Sequence, residues 1–262
     1  DIRNLMFVFE DVKALDDRTL EVLLERPTAY FLSLTAFHTL YPVPRRIVEA
    51  NPKWAADPKT LVGNGPFKIS AWIHNSRIEL LKNEHYWDAA KVKMPKIDFI
   101  LTESGSTEIA MFDNNQIDMG ENAPPAEYPR LKKEGRLQIS PYLGTYFFAF
   151  NVTKAPLDNV KVRQALSLAI DRQAIINNVT KGEQKPALAW VPPGMADAKP
   201  TEDFRAVGGD FFKDRDIDAA KKLLADAGYP EGKGLPQIEL IYNTNDVHKA
   251  IAEAVQEMWR KN

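Results

Sequence analysis

The spacing of apolar residues changes partway along the chain, and that change limits what it can fold into. Phe67, Ile69, Ala71 and Ile73 recur at every second position, the run breaks at Asn75-Ser76, and Ile78 and Leu80 resume it. A period of two belongs to a half-buried β-hairpin. From Asp158 onward the period lengthens, and Val162, Ala165, Leu166, Ala169 and Ile170 fall on one face of a helix. A chain that must bury both kinds of element is a mixed α/β protein.

Other segments extend this pattern. Two short apolar runs flank Asp16-Asp17 and predict a hairpin; "PTAYFLSLTAFHTL" spaces Tyr30, Phe31, Leu34, Phe37 and Leu40 as a helix with Pro27 in its first turn. Four prolines between Tyr41 and Pro58 mark a connection around one short helix, with a lobe boundary near Pro44. "KIDFILTE" reads as a strand; Ser106 is the expected cap of a helix that stops at Asn114-Asn115, and "PPAEYPRLKKEG" is a helix ending at Gly135. "LQISPYL", "GTYFFAFN" and "QIELIYNT" read as extended. Asp171 and Asp216 are placed to cap helices, the second of which ends at Gly228, after a Pro-, Gly- and Asp-rich loop from Pro186 to Asp214. The last helix turns Val247, Ile251, Ala254, Val255 and Met258 inward. The first residues begin inside a strand-like run and the last stop as a helix closes, so both ends are expected to be cuts in a longer chain.

Composition removes several functions. Lysine plus arginine number 34 and aspartate plus glutamate 36, interspersed, which argues against a nucleic-acid partner. No run approaches the roughly 18 apolar residues of a membrane span. There is no cysteine, hence no disulfide, thiolate metal site or cysteine nucleophile. No nucleophile elbow occurs, and His38, His74, His85 and His248 are not spaced as a helix-borne metal site requires. "GNGPF" lacks the lysine and hydroxyl of a phosphate loop. Glu121 and Glu127 could form an acidic pair, but such pairs are common on surfaces. No catalytic residue, metal or cofactor is expected.

Two features point to ligand binding. As a strand, "GTYFFAFN" sends Tyr146, Phe148 and Phe150 to one face and Thr145, Phe147 and Ala149 to the other, leaving one face as core and one for a site. Tyr142, just before it, carries a phenol that wants a partner when covered. His248 lies in the first turn of the last helix, where free amides and the dipole favour an anion such as a carboxylate; an ordinary surface histidine is the competing reading.

The phrases "LVGNGPFKISAW", "LLKNEHYWDAAKVKMPKIDFI", "NQIDMG", "GTYFFAFN", "PLDNVKVRQALSLAIDR", "AKKLLADAGYPEGKG" and "IYNTNDVHKAIAEAVQEMW" occur in an order that resembles the oligopeptide-binding proteins of bacterial ABC importers, within solute-binding protein family 5. "NVKVRQALSLAIDR" belongs to the wider family and "YNTNDVHK" to its oligopeptide branch. The resemblance implies a periplasmic-binding-protein-like α/β fold, in which two lobes close around a peptide beside an extra small lobe, present here as a partial chain. On that map residues 1–44 end the accessory lobe, 45–150 form part of the first binding lobe, and 151–262 form the first half of the second.

The implied location is periplasmic or extracytoplasmic, with the membrane reached only through the permease. A non-enzymatic binder captures short peptides and delivers them to an ABC transporter membrane permease. Tyr142 and Phe147 match aromatic positions lining the family's cleft, and His248 a histidine near the bound peptide's C-terminal end. Ala149 stands where close relatives have glutamate, and Gly144 where they have a disulfide-forming cysteine. Another solute on the same fold (a dipeptide, a sugar, nickel or a haem-like group) is the first alternative, and a hydrolase using a carboxylate pair the second.

Overall fold

In the computed structural model, which describes residues 9–262, the chain divides into one unit ending at Leu101 and another running Thr102–Asn262. The run expected at the very start falls on residues 1–8, outside the described residues.

The first unit opens with the expected hairpin, strands β1 (Phe9–Ala14) and β2 (Leu20–Leu24) paired antiparallel. Asp16 makes the turn: its carboxylate accepts from the Arg18 amide at 2.8 Å and the Thr19 hydroxyl at 2.9 Å, and the Arg18 bond first of all holds its pKa below the ordinary aspartate range. The helix expected over Tyr30–Leu40 is cut short. Only α1 (Phe31–Leu34) forms, followed by a 3₁₀ turn His38–Leu40, and Pro27 lies outside both. The Thr35 hydroxyl donates to the Leu32 carbonyl at 2.7 Å and Phe37 is extended (φ −80°, ψ 132°), so side chain and backbone both leave the helical path. Helix α2 (Arg45–Ala50) starts directly after Pro44, within the proline-rich connection.

Strands β3 (Phe67–Ile73), β4 (Arg77–Lys82) and β5 (Lys96–Ile100) form an antiparallel sheet in that order, with Asn75 taking a left-handed φ of 60° at the first turn. A register shift between Ile69 and Ala71 corrects the simple alternation. The extra residue reverses the faces, so Ile73 is exposed and Trp72 is half-buried in its place.

In the second unit, α3 (Gly105–Asp113) is capped by Ser104, whose hydroxyl accepts from the Thr107 amide at 3.2 Å; Ser106 is inside the helix, which corrects the expected cap by two residues. Helix α4 (Tyr128–Lys133) ends before Gly135 at φ 68°. Arg130 fastens the two helices, reaching Asp113 at 3.0 Å and Glu127 at 2.8 Å, while Arg136 reaches Asp113 at 2.9 Å and lies over the Phe112 ring. The guanidinium of Arg130 hydrogen-bonds Asp113 and holds that carboxyl below its usual range.

Helices α5 (Val160–Leu168), α6 (Arg172–Ile175), α7 (Phe204–Gly208), α8 (Ile217–Asp226) and α9 (Asp246–Lys261) complete the unit, with a π-helical turn Ile176–Thr180 after α6. The caps at Asp171 and Asp216 form as the sequence predicts, accepting from the amides of Ala174 and Ala219, and Gly228 takes φ 92° beyond α8. Two apolar clusters hold these helices. One joins Ala165 and Ala169 to Ala220; the other joins Ile175 to Ile251 and Val255, with Phe148, Leu240, Val247 and Met258 against it. Trp259 touches both, and its indole N–H donates to the Leu166 carbonyl at 2.8 Å.

The stretches expected as strands at 137–143, 144–151 and 237–244 carry no ladder in the structure. Their composition suits strands, but a strand requires a neighbour, and no described residue pairs with them. Much of their surface faces solvent, which leaves water to satisfy the backbone.

Helix α9 starts at Asn245, whose side-chain oxygen accepts from the His248 amide at 3.0 Å. Asn245→Ala is expected to cost about 0.5–2 kcal/mol of stability. A urea midpoint unchanged from the parent would show that this cap is not holding the helix.

Candidate functional site

The segment 142–150 and the start of α9 meet through aromatic side chains. The predicted two-sided character of "GTYFFAFN" is present without a ladder. Phe148 joins the Ile251 and Val255 cluster, and Tyr146 stacks edge-on against Phe148 with ring centroids 5.6 Å apart. On the other side, the Thr145 hydroxyl donates to the Trp190 carbonyl at 2.8 Å, and the Phe147 and Trp190 rings lie 4.7 Å apart. Only Phe148 is seated against the core: Tyr146 beside it is 51% exposed, close to the 55% of Phe147 and the 63% of Trp190 on the other side.

His248 stands on the Tyr146 side. Its ring is half-buried, 5.1 Å from the Tyr146 ring, and its Nδ1 lies 2.5 Å from Oδ1 of Asn243. Partial burial pushes the Tyr146 phenol up, so it stays neutral at physiological pH. Tyr142 is 88% exposed and folds its ring back over Gly144, whose amide donates to the Tyr142 carbonyl at 2.9 Å. A Cβ at position 144 would collide with that ring, so the glycine permits the fold-back. Ala149 is exposed beside this face.

The three residues singled out in the sequence thus lie along the segment 142–150 and the helix beside it, each with its own partner: Tyr142 with Gly144, Phe147 with Trp190, His248 with Tyr146 and Asn243. Sequence reasoning missed Asn243 and Trp190. Asn243 sits five residues before His248 in a loop leading to a capped helix, where a polar side chain has reason to turn back; Trp190, within a proline-rich loop, gives no such sign.

That loop is fixed by two half-buried carboxylates. Asp214 accepts from Arg172 at 3.1 Å, and Arg172 stacks on the Phe212 ring. Asp203 accepts from the amides of Gly194 at 2.6 Å and Ala206 at 2.9 Å, and the Gly194 bond above all depresses its pKa. A depressed carboxylate contributes stability that is complete above the ordinary aspartate range and is lost as pH falls through its lowered folded value. Exchange protection of the Gly194 and Ala206 amides is expected to fall as pH drops below the ordinary aspartate range, and Asp203→Asn to remove that pH dependence; protection in the parent that stays constant into strong acid would contradict it.

The alternative acid chemistry finds no geometry. Glu127 is engaged by Arg130, and Glu121 is exposed in the preceding loop. Among the described residues, no group of three His, Asp or Glu side chains is arranged to hold a metal ion, and no helix is long and apolar enough to cross a membrane.

Residues 3–261 match the family model described as bacterial extracellular solute-binding proteins, family 5 Middle. The chain is 45% identical over 261 residues to the oligopeptide-binding protein OppA of Bacillus subtilis, covering 96% of this chain and 47% of that protein. It therefore spans about half the length of the curated relatives it matches. Among solved structures, the periplasmic oligopeptide-binding protein OppAIV of Borrelia burgdorferi superposes with a TM-score of 0.82 at 35% identity, over 95% of this chain and 48% of that one. Haemophilus influenzae OppA in complex with the peptide RPPGFSPFR superposes with a TM-score of 0.79 at 33% identity, over 95% of this chain and 49% of that one.

Proposed function

The chain belongs to the bacterial extracellular solute-binding proteins of family 5, and from that premise we propose that the protein captures short peptides between two lobes and delivers them to an ABC transporter permease. The observation that carries this reading is the likeness, over 95% of the chain, to a relative solved with the nonapeptide RPPGFSPFR bound. The protein works outside the cytoplasmic membrane and makes or breaks no bond.

In this reading residues 1–44 end an accessory lobe, 45–150 belong to the first binding lobe and 151–262 to the second. The segment 144–151 crosses between binding lobes and serves as hinge and cleft wall together. Affinity comes from the peptide main chain held in extended form, so side chains are tolerated widely in hydrated pockets. Tyr142 and Phe147 line the cleft with apolar surface, and His248, at the amide end of α9, meets the peptide's terminal carboxylate. Closure buries the peptide and creates the shape that the permease recognises, so binding and delivery share one hinge.

Calorimetric titration of the natural full-length protein with peptides of two to five residues tests the proposal. Saturable binding of several unrelated sequences is the expected result. Failure with all of them, together with tight binding of a sugar, nickel or a haem-like group, would keep the fold and overturn the ligand.

A further inference from the structure

We infer that Asn243 decides which nitrogen of His248 faces a bound carboxylate, so that capture of the carboxylate takes up a proton. The inference rests on the reading of His248 as the partner of the peptide's terminal carboxylate.

The contact between Asn243 Oδ1 and His248 Nδ1, at 2.5 Å, carries the argument. An amide oxygen can only accept, so Nδ1 is the nitrogen that bears the hydrogen. In a neutral ring the proton count is then complete: Nδ1–H is spent on Asn243, and Nε2 presents a lone pair. A lone pair repels a carboxylate oxygen. Only the imidazolium donates from Nε2 while keeping Nδ1–H on Asn243, so the carboxylate binds together with one proton from solvent, and the ring and carboxylate become an ion pair. The proton leaves with the peptide.

The surroundings modulate this exchange without replacing it. On α9 itself the charged groups within a turn of His248 are Asp246, in the first turn, and Lys249, which Glu253 partners at 3.9 Å. From segment 142–150 the group facing the ring is the Tyr146 phenol, neutral at physiological pH. From the loop before α9 the neighbours are the uncharged amides Asn243 and Asn245. No second carboxylate or metal stands against the ring among the described contacts, so the ligand supplies the countercharge.

Asn243 is thus a positioning residue, and its role separates from mere packing by counting protons. In the full-length protein, a peptide that His248→Ala weakens is titrated at about pH 8, above the usual imidazole range, in buffers of different ionisation heat. Uptake approaching one proton per peptide is expected, with affinity falling up to about tenfold per pH unit above that range. The same peptide with an amidated C-terminus takes up none. Asn243→Leu frees the ring to carry its hydrogen on Nε2 while neutral, so uptake falls toward zero and the pH slope flattens. Peptide binding that depends on His248 but shows no proton uptake in the parent would overturn the inference, since a reversed Asn243 amide gives that result. Uptake unchanged in Asn243→Leu would overturn it as well. If His248→Ala leaves every peptide unaffected, the underlying reading fails first and the inference falls with it.

Discussion

Trimming Ile251 to alanine lowers the stability of the unit Thr102–Asn262 by about 2–5 kcal/mol. Ile251 is 7% exposed, one turn beyond His248 on α9, and it meets Ile175 and Val255 with Phe148, Val247 and Met258 around them. Removing three carbons there loses their transfer energy and leaves a cavity that helices already fixed by Trp259 and by the caps at Asp171 and Asn245 cannot close. Because a domain's net stability is only about 5–15 kcal/mol, the loss is a large part of the whole. Urea unfolding should show a lower midpoint with an unchanged slope. A loss below about 1 kcal/mol would mean that α9 is not seated as described. The same cluster holds Phe148, and with it the segment carrying Tyr142 and Phe147, so the substitution is also expected to weaken peptide binding.

The second large effect is on binding itself. His248→Ala in the full-length protein is expected to weaken peptides whose C-terminal carboxylate reaches the start of α9 by about 1–3 kcal/mol, the value of a charge-assisted hydrogen bond. That corresponds to roughly fivefold to two-hundredfold in dissociation constant. Peptides of other lengths, whose carboxylate stops elsewhere, should bind as before. Equal affinity of variant and parent at every length would make His248 an ordinary surface residue.

The difference between what the sequence disclosed and what it hid follows from the range of each interaction. Helix caps are local, and Asp171, Asp216 and Gly228 were readable because a side chain or a left-handed backbone acts within a few residues. The apolar face of α9 was readable for the same reason: its period alone places Ile251 and Val255 inward. The cap of α3 was misplaced because Ser104 and Ser106 both suit the position, and only the backbone path tells them apart. The bulge in β3 was invisible, since nothing in "FKISAW" announces one extra residue, yet it exchanges the faces of Trp72 and Ile73. The helix expected at Tyr30–Leu40 had the right period but met Thr35 and an extended Phe37, where local hydrogen bonding competes with the helix.

Strand pairing is a longer-range matter still. The alternation in 144–151 holds for Phe148, packed against the core, and for Phe147, outside, but not for Tyr146, which is 51% exposed; a ladder depends on a partner that no local pattern supplies. The candidate site shows the same division. The placement of His248 at a helix start was legible from Asn245 and Asp246, whereas its contact with Tyr146 joins two stretches of chain far apart in sequence. Trp190 meets Phe147 from 43 residues away, across a loop whose sequence gives little structural signal.

The central claim is that the protein takes up short peptides without regard to sequence, and it is tested most directly on the natural full-length protein as purified. Native mass spectrometry of the intact protein, followed by release and sequencing of what leaves it, reads the cargo without choosing it beforehand. A ladder of mixed short peptides is the predicted result. A single non-peptide mass, held in stoichiometric amount, would contradict it.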